Sequence, residues 1–203
     1  MDRRNIRIEG KLVVLRSKRI ADAEADYRWR VDPELAALDA TRPITLTFRE
    51  YSRYHRDDLQ FPSPWSVRFA IETIDGRHIG NCMYYDIDWE RRQAELGIMI
   101  GDREYWNTGY GTDAVKTMLL HIFTDTRLKR VYLHTLLHNV RAQRAFEKSG
   151  FMSMGTVRKD GFDFQRMELT REEWVKAAQP PVEMQAQTSI RRAPAKSGPV
   201  PDA

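Results

Sequence analysis

Cysteine is nearly missing from this chain: Cys82 is the only one among 203 residues. That excludes an internal disulfide and fits a reducing, cytosolic compartment. No Cys/His spacing suggests ligation, so no metal is expected. Cys82 lies in a strand-like run, where a small buried hydrophobe is expected rather than a nucleophile. A long apolar run at the N-terminus is also lacking. Neither a signal peptide nor a membrane span is therefore supported, and a cytoplasmic location is the expectation. Lys/Arg blocks are absent as well. The formal net charge is +4, but it is spread thinly, and from Pro181 onward Arg191, Arg192 and Lys196 are set against Glu183 and Asp202. A solvated mixed surface follows, with no nucleic acid and no membrane expected as partners.

What is present is a series of periodic segments. With 41% hydrophobic residues, the length suits one domain with a full core. Lys11 to Arg16 reads as a first strand, Ala21 to Arg30 as a first helix and Phe48 to Leu59 as a second. Pro62 and Pro64 break the chain before a strand from Val67 to Thr73. Asp75-Gly76 is then a hairpin signal leading into a longer strand, Ile79 to Trp89. Further on, Met154 to Arg158 and Phe164 to Leu169 form a closing hairpin around Asp160-Gly161, and Thr170 to Trp174 has the form of a capping box. One domain is expected over residues 1–178, with a Pro/Ala/Ser-rich disordered tail over 179–203. The element order implies an α/β (α+β) chain with one mixed, mostly antiparallel sheet flanked by helices.

Two segments between these carry chemistry. The first runs from Arg103 to Val115, REYWNTGYGTDAV. It follows a strand, Ala94 to Ile100, and enters a helix whose apolar stripe is Ala114, Val115, Met118, Leu119, Ile122 and Phe123. A strand, a glycine turn and a helix start together aim backbone N–H groups and a positive dipole end at an anion. Gly109 and Gly111 either let a diphosphate approach the main chain or merely allow a tight turn. The second segment follows the strand Arg130 to Thr135. There Asn139 is a good N-cap, Ala142, Ala145 and Phe146 supply an apolar face, and Gly150 ends the helix.

In that order the two segments resemble the GNAT superfamily of acyl-CoA-dependent N-acetyltransferases, over roughly residues 10 to 175. The first matches the family's pyrophosphate-binding turn and the second its helix beside the pantetheine arm. Trp106 stands where that turn prefers Gln or Arg, and Phe146 where many members carry Tyr. With DYRWRVDPEL (Asp26 to Leu35), the Trp form is similar to the branch of ribosomal-protein serine/alanine and spermidine acetyltransferases. The resemblance implies a GNAT fold with six to seven strands and a cofactor cleft between splayed parallel strands. It implies acetyl-CoA as co-substrate, direct attack in a ternary complex and a monomer or homodimer. The acceptor would be a primary amine: a protein N-terminus, polyamine, amino acid or aminoglycoside. A catalytically weak CoA-binding module is the alternative, motivated by Phe146.

The same resemblance implies cofactor contacts from Ile98, Met99 and Ile100, from Trp106, Asn107, Thr108, Gly109, Tyr110, Gly111 and Thr112, and from Asn139 and Phe146. Met99 and Ile100 would offer the oxyanion its backbone N–H groups, and Gly97 either marks the bulge that starts the splay or relieves close packing. Arg103 and Lys148 are candidates to meet a phosphate. Amine acetylation needs a proton acceptor, because a primary amine near pKa 10 is mostly protonated at neutral pH. Glu95 is the candidate base; the alternatives are that it faces solvent or pairs with Arg91 or Arg92. Phe146 cannot protonate the leaving sulfur, which leaves Tyr110, Tyr132, His134 and His138 as unranked candidates. Asp32, Glu34, Asp39, Tyr84, Tyr85 and Trp89 lie in segments that would meet the acceptor.

Overall fold

β1 (Arg7–Glu9) and β2 (Val13–Ser17) open the chain as a hairpin closed by the Gly10 N–H on the Val13 carbonyl, 2.8 Å. Three helices follow: α1 (Ala23–Val31), entered through a 3-10 turn over Ile20–Asp22, then α2 (Pro33–Leu38) and α3 (Phe48–Gln60). β3 (Val67–Thr73), β4 (His78–Asp88) and β5 (Gln93–Ile100) form a meander. α4 (Tyr110–Asp125), β6 (Arg130–Leu136), α5 (Val140–Lys148), β7 (Met152–Lys159), β8 (Phe162–Thr170) and α6 (Arg171–Ala178) complete it. The computed structural model describes residues 6–178, so the tail expected at 179–203 lies outside the described residues.

All strands among the described residues join one sheet in the order β1-β2-β3-β4-β5-β6-β8-β7. Among the described residues β5 and β6 are the only parallel neighbours. The apolar stripe of α4 is buried against one sheet face, where Val13, Leu15, Phe69, Leu96, Val131 and Leu133 complete the core. That single burial holds the glycine turn and its helix beside β5. Cys82 is buried in the same core, as expected.

Local chemistry explains the element ends. Thr47 and Glu50 form a reciprocal capping box that starts α3, and Thr170 and Glu173 form another at α6. Asp160 and Gly161 both have positive φ, 51° and 84°, as a two-residue hairpin turn requires.

The sheet has eight strands where six to seven were expected. The extra one, β1, is too short for two-residue alternation to mark it. α2 was also missed, although Asp32 accepts from the N–H groups of Glu34 and Leu35 and Pro33 occupies the first turn. Gly97 is no bulge. It sits opposite Met83 in unbroken register, and the irregularity in that ladder falls between Tyr85 and Asp88, where Asp86 has φ 48°.

Candidate active site

Parallel pairing of β5 with β6 extends only from Gln93–Arg130 to Glu95–Tyr132. Beyond that rung β5 follows β4 as far as Ile100–Gly80, while β6 follows β8 as far as Leu136–Phe164. The two strands therefore part, and a cleft of about 550 Å³ opens between them. Ile98, Met99 and Ile100 form its floor. Of the twelve expected cofactor residues only Thr108 and Tyr110 do not line it. The Thr108 hydroxyl donates to the Tyr105 carbonyl at 2.8 Å, and the Tyr110 ring packs edge-on against Tyr105.

Backbone direction distinguishes the floor residues. The Gly101 N–H donates to the Ile79 carbonyl on β4, 2.9 Å away. Successive peptide groups along a strand face opposite edges, so the N–H groups of Ile100 and Ile98 face the opening and that of Met99 faces β4. The indole N–H of Trp106 confirms the sense by donating to the Ile100 carbonyl at 2.7 Å. Met99 therefore meets the cleft without the N–H expected of it.

At the cleft wall Gly109 adopts φ 96°, a left-handed geometry that L side chains rarely adopt, and has no side chain to cap α4. The first hydrogen bond of the helix is Asp113 N–H to Gly109 carbonyl, 3.0 Å. The N–H groups of Tyr110, Gly111 and Thr112 consequently have no acceptor within the helix, at the end where its dipole is positive. Arg141, Arg144 and Lys148 on α5 line the facing wall. Arg141 lies with its guanidinium carbon 3.4 Å from the Trp106 ring centre, and burial lowers its pKa. Arg141 and Arg144 were not singled out in the sequence, although their i, i+3 spacing on the Asn139-capped helix puts them on one face. Arg103 is taken up by Asp32 and Glu34, at 2.9 and 2.6 Å. Donors, cations and exposed glycine backbone fit a pyrophosphate and its phosphates. Among the described residues no group of three or more His, Cys, Asp or Glu side chains could hold a metal ion.

Asn139 caps α5, its Oδ1 accepting from the Ala142 N–H at 3.2 Å, which leaves its amide NH2 free for another partner. Phe146 is buried edge-on against Phe151 and contributes only apolar surface.

Glu95 lies at the last parallel rung, buried, and does not line the cleft. It faces neither solvent nor Arg91 and Arg92: its Oε1 sits 2.9 Å from His134 Nδ1, and Tyr85 also hydrogen-bonds to it. Burial, followed by the Glu95 charge, raises the pKa of both Tyr85 and Tyr132. His138 is exposed in the turn before α5. Of the expected acceptor residues, Asp39 lines the cleft, and the crowding protein around it raises its pKa. Half of its side chain still meets solvent, and Arg30 lies 3.4 Å away. Trp89 is exposed. Tyr84 is instead core, packed on Phe69 and His121, because its register turns it to the α4 face.

The Acetyltransferase (GNAT) domain family matches residues 13–152. The uncharacterized N-acetyltransferase p20 of Bacillus licheniformis is 27% identical over 152 residues, 72% of this chain and 82% of that protein. The spermidine N(1)-acetyltransferase of Vibrio cholerae is 28% identical over 95 residues, so this match spans about half of each chain, 47% and 54%. Among solved structures, Vibrio cholerae spermidine N-acetyltransferase in complex with CoA and spermine has a TM-score of 0.72 at 20% identity, covering 81% of this chain and 98% of its own. An aminoglycoside acetyltransferase in complex with coenzyme A has 0.69 at 20%, covering 82% and 99%. At these identities the structural likeness speaks for the fold. These relatives give the ribosomal-protein branch no support. Because the domain match spans most of the sequence and takes in both the glycine turn and the Asn139 helix, the chain belongs to the GNAT acetyltransferase family.

Proposed function

We propose that this chain acetylates a primary amine of a small cationic acceptor, a polyamine being the favoured class, by direct attack in a ternary complex. The observation that carries this is the parting of β5 from β6 beside a helix start with unfilled N–H donors. When bound, acetyl-CoA supplies the acetyl group as a reactive thioester. The turn from Trp106 to Thr112 holds the pyrophosphate, with Arg141, Arg144 and Lys148 as counter-charges. The Asn139 amide and the Phe146 ring flank the pantetheine arm, and Met99 packs along it. Backbone N–H groups of Ile98 and Ile100 face the thioester oxygen, where fixed donors stabilise developing negative charge.

Glu95 takes the proton of the incoming ammonium. Phe146 has no proton to give the departing sulfur, and an ordinary thiol acidity, about pKa 8.5, makes one dispensable. Asp39 at the cleft and Glu95 where β5 and β6 part supply negative charge for a cationic acceptor. Spermidine acetyltransferases among the relatives agree with a polyamine. Residues 1–178 form the whole acetyltransferase unit in this reading, and the single buried thiol suits the cytosol.

The test is release of free CoA thiol from acetyl-CoA against polyamines, amino acids, aminoglycosides and peptides with free N-terminal Ala or Ser. Turnover on polyamines that collapses in Glu95→Gln is the expected result. Failure to bind acetyl-CoA would overturn the reading, and turnover confined to the peptides would overturn the acceptor class.

A further inference from the structure

Where β5 and β6 part, a second group lies beside Glu95 that no cofactor contact accounts for. His134 lies one turn of alternation beyond the last parallel rung, on the same face as Glu95, and its Nδ1 is 2.9 Å from Glu95 Oε1. With Glu95 as a carboxylate, which only accepts hydrogen bonds, the contact assigns the donor role to His134 Nδ1. The imidazole is held edge-on between Tyr132 and Phe164, with ring centres 5.9 and 6.2 Å away. Those contacts fix the ring plane, and the fixed ring in turn fixes the carboxylate. Tyr85, from β4, binds the same carboxylate from the other strand. Arg166 on β8 is engaged by Glu168 at 2.6 Å and lies over the Tyr132 ring, so it leaves Glu95 without a cation of its own.

We infer that His134 is the positioning residue for Glu95, holding its carboxylate in place at the last parallel rung, where β5 and β6 part, through the Nδ1 hydrogen bond. The inference rests on Glu95 being the base in the function proposed above. A carboxylate has about four lone-pair sites, so the bonds from His134 and Tyr85 leave two for an ammonium. One proton moves from the ammonium nitrogen to Glu95, the freed amine forms the C–N bond, and the C–S bond breaks with its electron pair on sulfur. That sulfur takes up the second nitrogen proton, leaving the amide and free CoA thiol. His134 keeps its own proton throughout and acts through geometry.

The experiment is steady-state kinetics of the full chain with acetyl-CoA and the amine that turns over, on wild type, His134→Phe and His134→Gln, with thermal unfolding of each. Phenylalanine keeps a ring but removes the donor, while glutamine restores an N–H. The expected result is a kcat for His134→Phe lower by about 10- to 100-fold, as misplacing a catalytic group costs. The KM for acetyl-CoA should stay unchanged, and His134→Gln should recover most of the loss. An active wild type with His134→Phe at undiminished kcat would overturn this inference alone. So would a kcat loss that His134→Gln fails to recover although it unfolds at the wild-type temperature. A wild type that binds acetyl-CoA but turns over no amine would overturn the proposed function itself.

Discussion

The guanidinium of Arg141 lies 3.4 Å above the centre of the Trp106 ring, joining the turn before α4 to the helix on the far wall of the cleft. The same indole is anchored to the floor through the Ile100 carbonyl. Trp106 thus ties floor, turn and α5 together and leaves a partly desolvated cation at the cleft wall. A desolvated cation–π contact contributes about 0.5–2 kcal/mol. For Arg141→Ala we expect the acetyl-CoA dissociation constant to rise by about 2- to 30-fold, with kcat at saturation little changed. Calorimetric titration with acetyl-CoA checks this, and unaltered affinity would remove Arg141 from the phosphate site.

Gly109 and Gly111 serve different ends, and alanine separates them. At Gly109 the backbone is left-handed, φ 96°, while an added Cβ would make only an ordinary 3.5 Å contact with Leu12. Gly109→Ala should thus lose about 1–2 kcal/mol of stability through backbone strain. At Gly111, inside α4, a Cβ would meet nothing closer than Ile100 at 3.7 Å. Alanine is the better helix residue by about 0.5–1 kcal/mol. Gly111→Ala should therefore raise the unfolding midpoint while weakening acetyl-CoA binding. A variant that is both more stable and equally tight would mean that no ligand approaches the main chain there.

Much of this was legible beforehand because it rests on local chemistry. Asn139 and Gly150 bound α5 at both ends, and Gly150 does adopt φ 99°. All six apolar residues of the expected α4 stripe are buried, and Thr117 and His121 join them on that face. What stayed hidden depends on pairing across the sheet. Whether Glu95 meets solvent, an arginine or His134 is decided by the β5–β6 register, which brings together residues 39 apart in sequence. Tyr84 and Tyr85 are adjacent in the chain, yet only the pleat sends one to the core and the other to Glu95. The three-residue β1 and six-residue α2 are too short for any period to show.

Under the helical layer, Asp22 is buried and receives the Arg16 guanidinium at 2.7 Å, with Lys18 and His78 nearby. Burial alone would raise its pKa, but the bonds from Arg16 and from the Arg19 N–H outweigh it and bring the value from 3.8 down to about 2. A folded pKa below the unfolded one stabilises fully above about pH 4 and is lost as pH falls through about 2. The size is roughly 2 kcal/mol. Urea unfolding at pH 6 and pH 2.5 should show a smaller loss of stability on acidification in Asp22→Asn than in wild type. Equal losses would mean that Asp22 titrates alike in both states.

At Gly80, paired with Ile100 across the β4–β5 ladder, an added Cβ would come within 2.3 Å of the Met99 carbonyl oxygen and 3.0 Å of the Ile100 Cα. Both are main-chain atoms of β5, which cannot swing aside as a side-chain tip can. Overfilling such a contact costs about 1–3 kcal/mol, and any relief has to come from displacing β5. Gly80→Ala should lower the unfolding midpoint and also weaken acetyl-CoA binding, because the displaced strand carries the Ile98 and Ile100 donors. Gly97 is the contrasting position on the same strand pair, since a Cβ there meets only flexible side-chain atoms of Tyr85 and Met83, at 3.4 to 3.7 Å. Gly97→Ala should be nearly neutral in both measurements. The reverse ranking would place the indispensable glycine on β5 itself, and the strand's course into the cleft would then owe more to Gly97 than to its fit against β4.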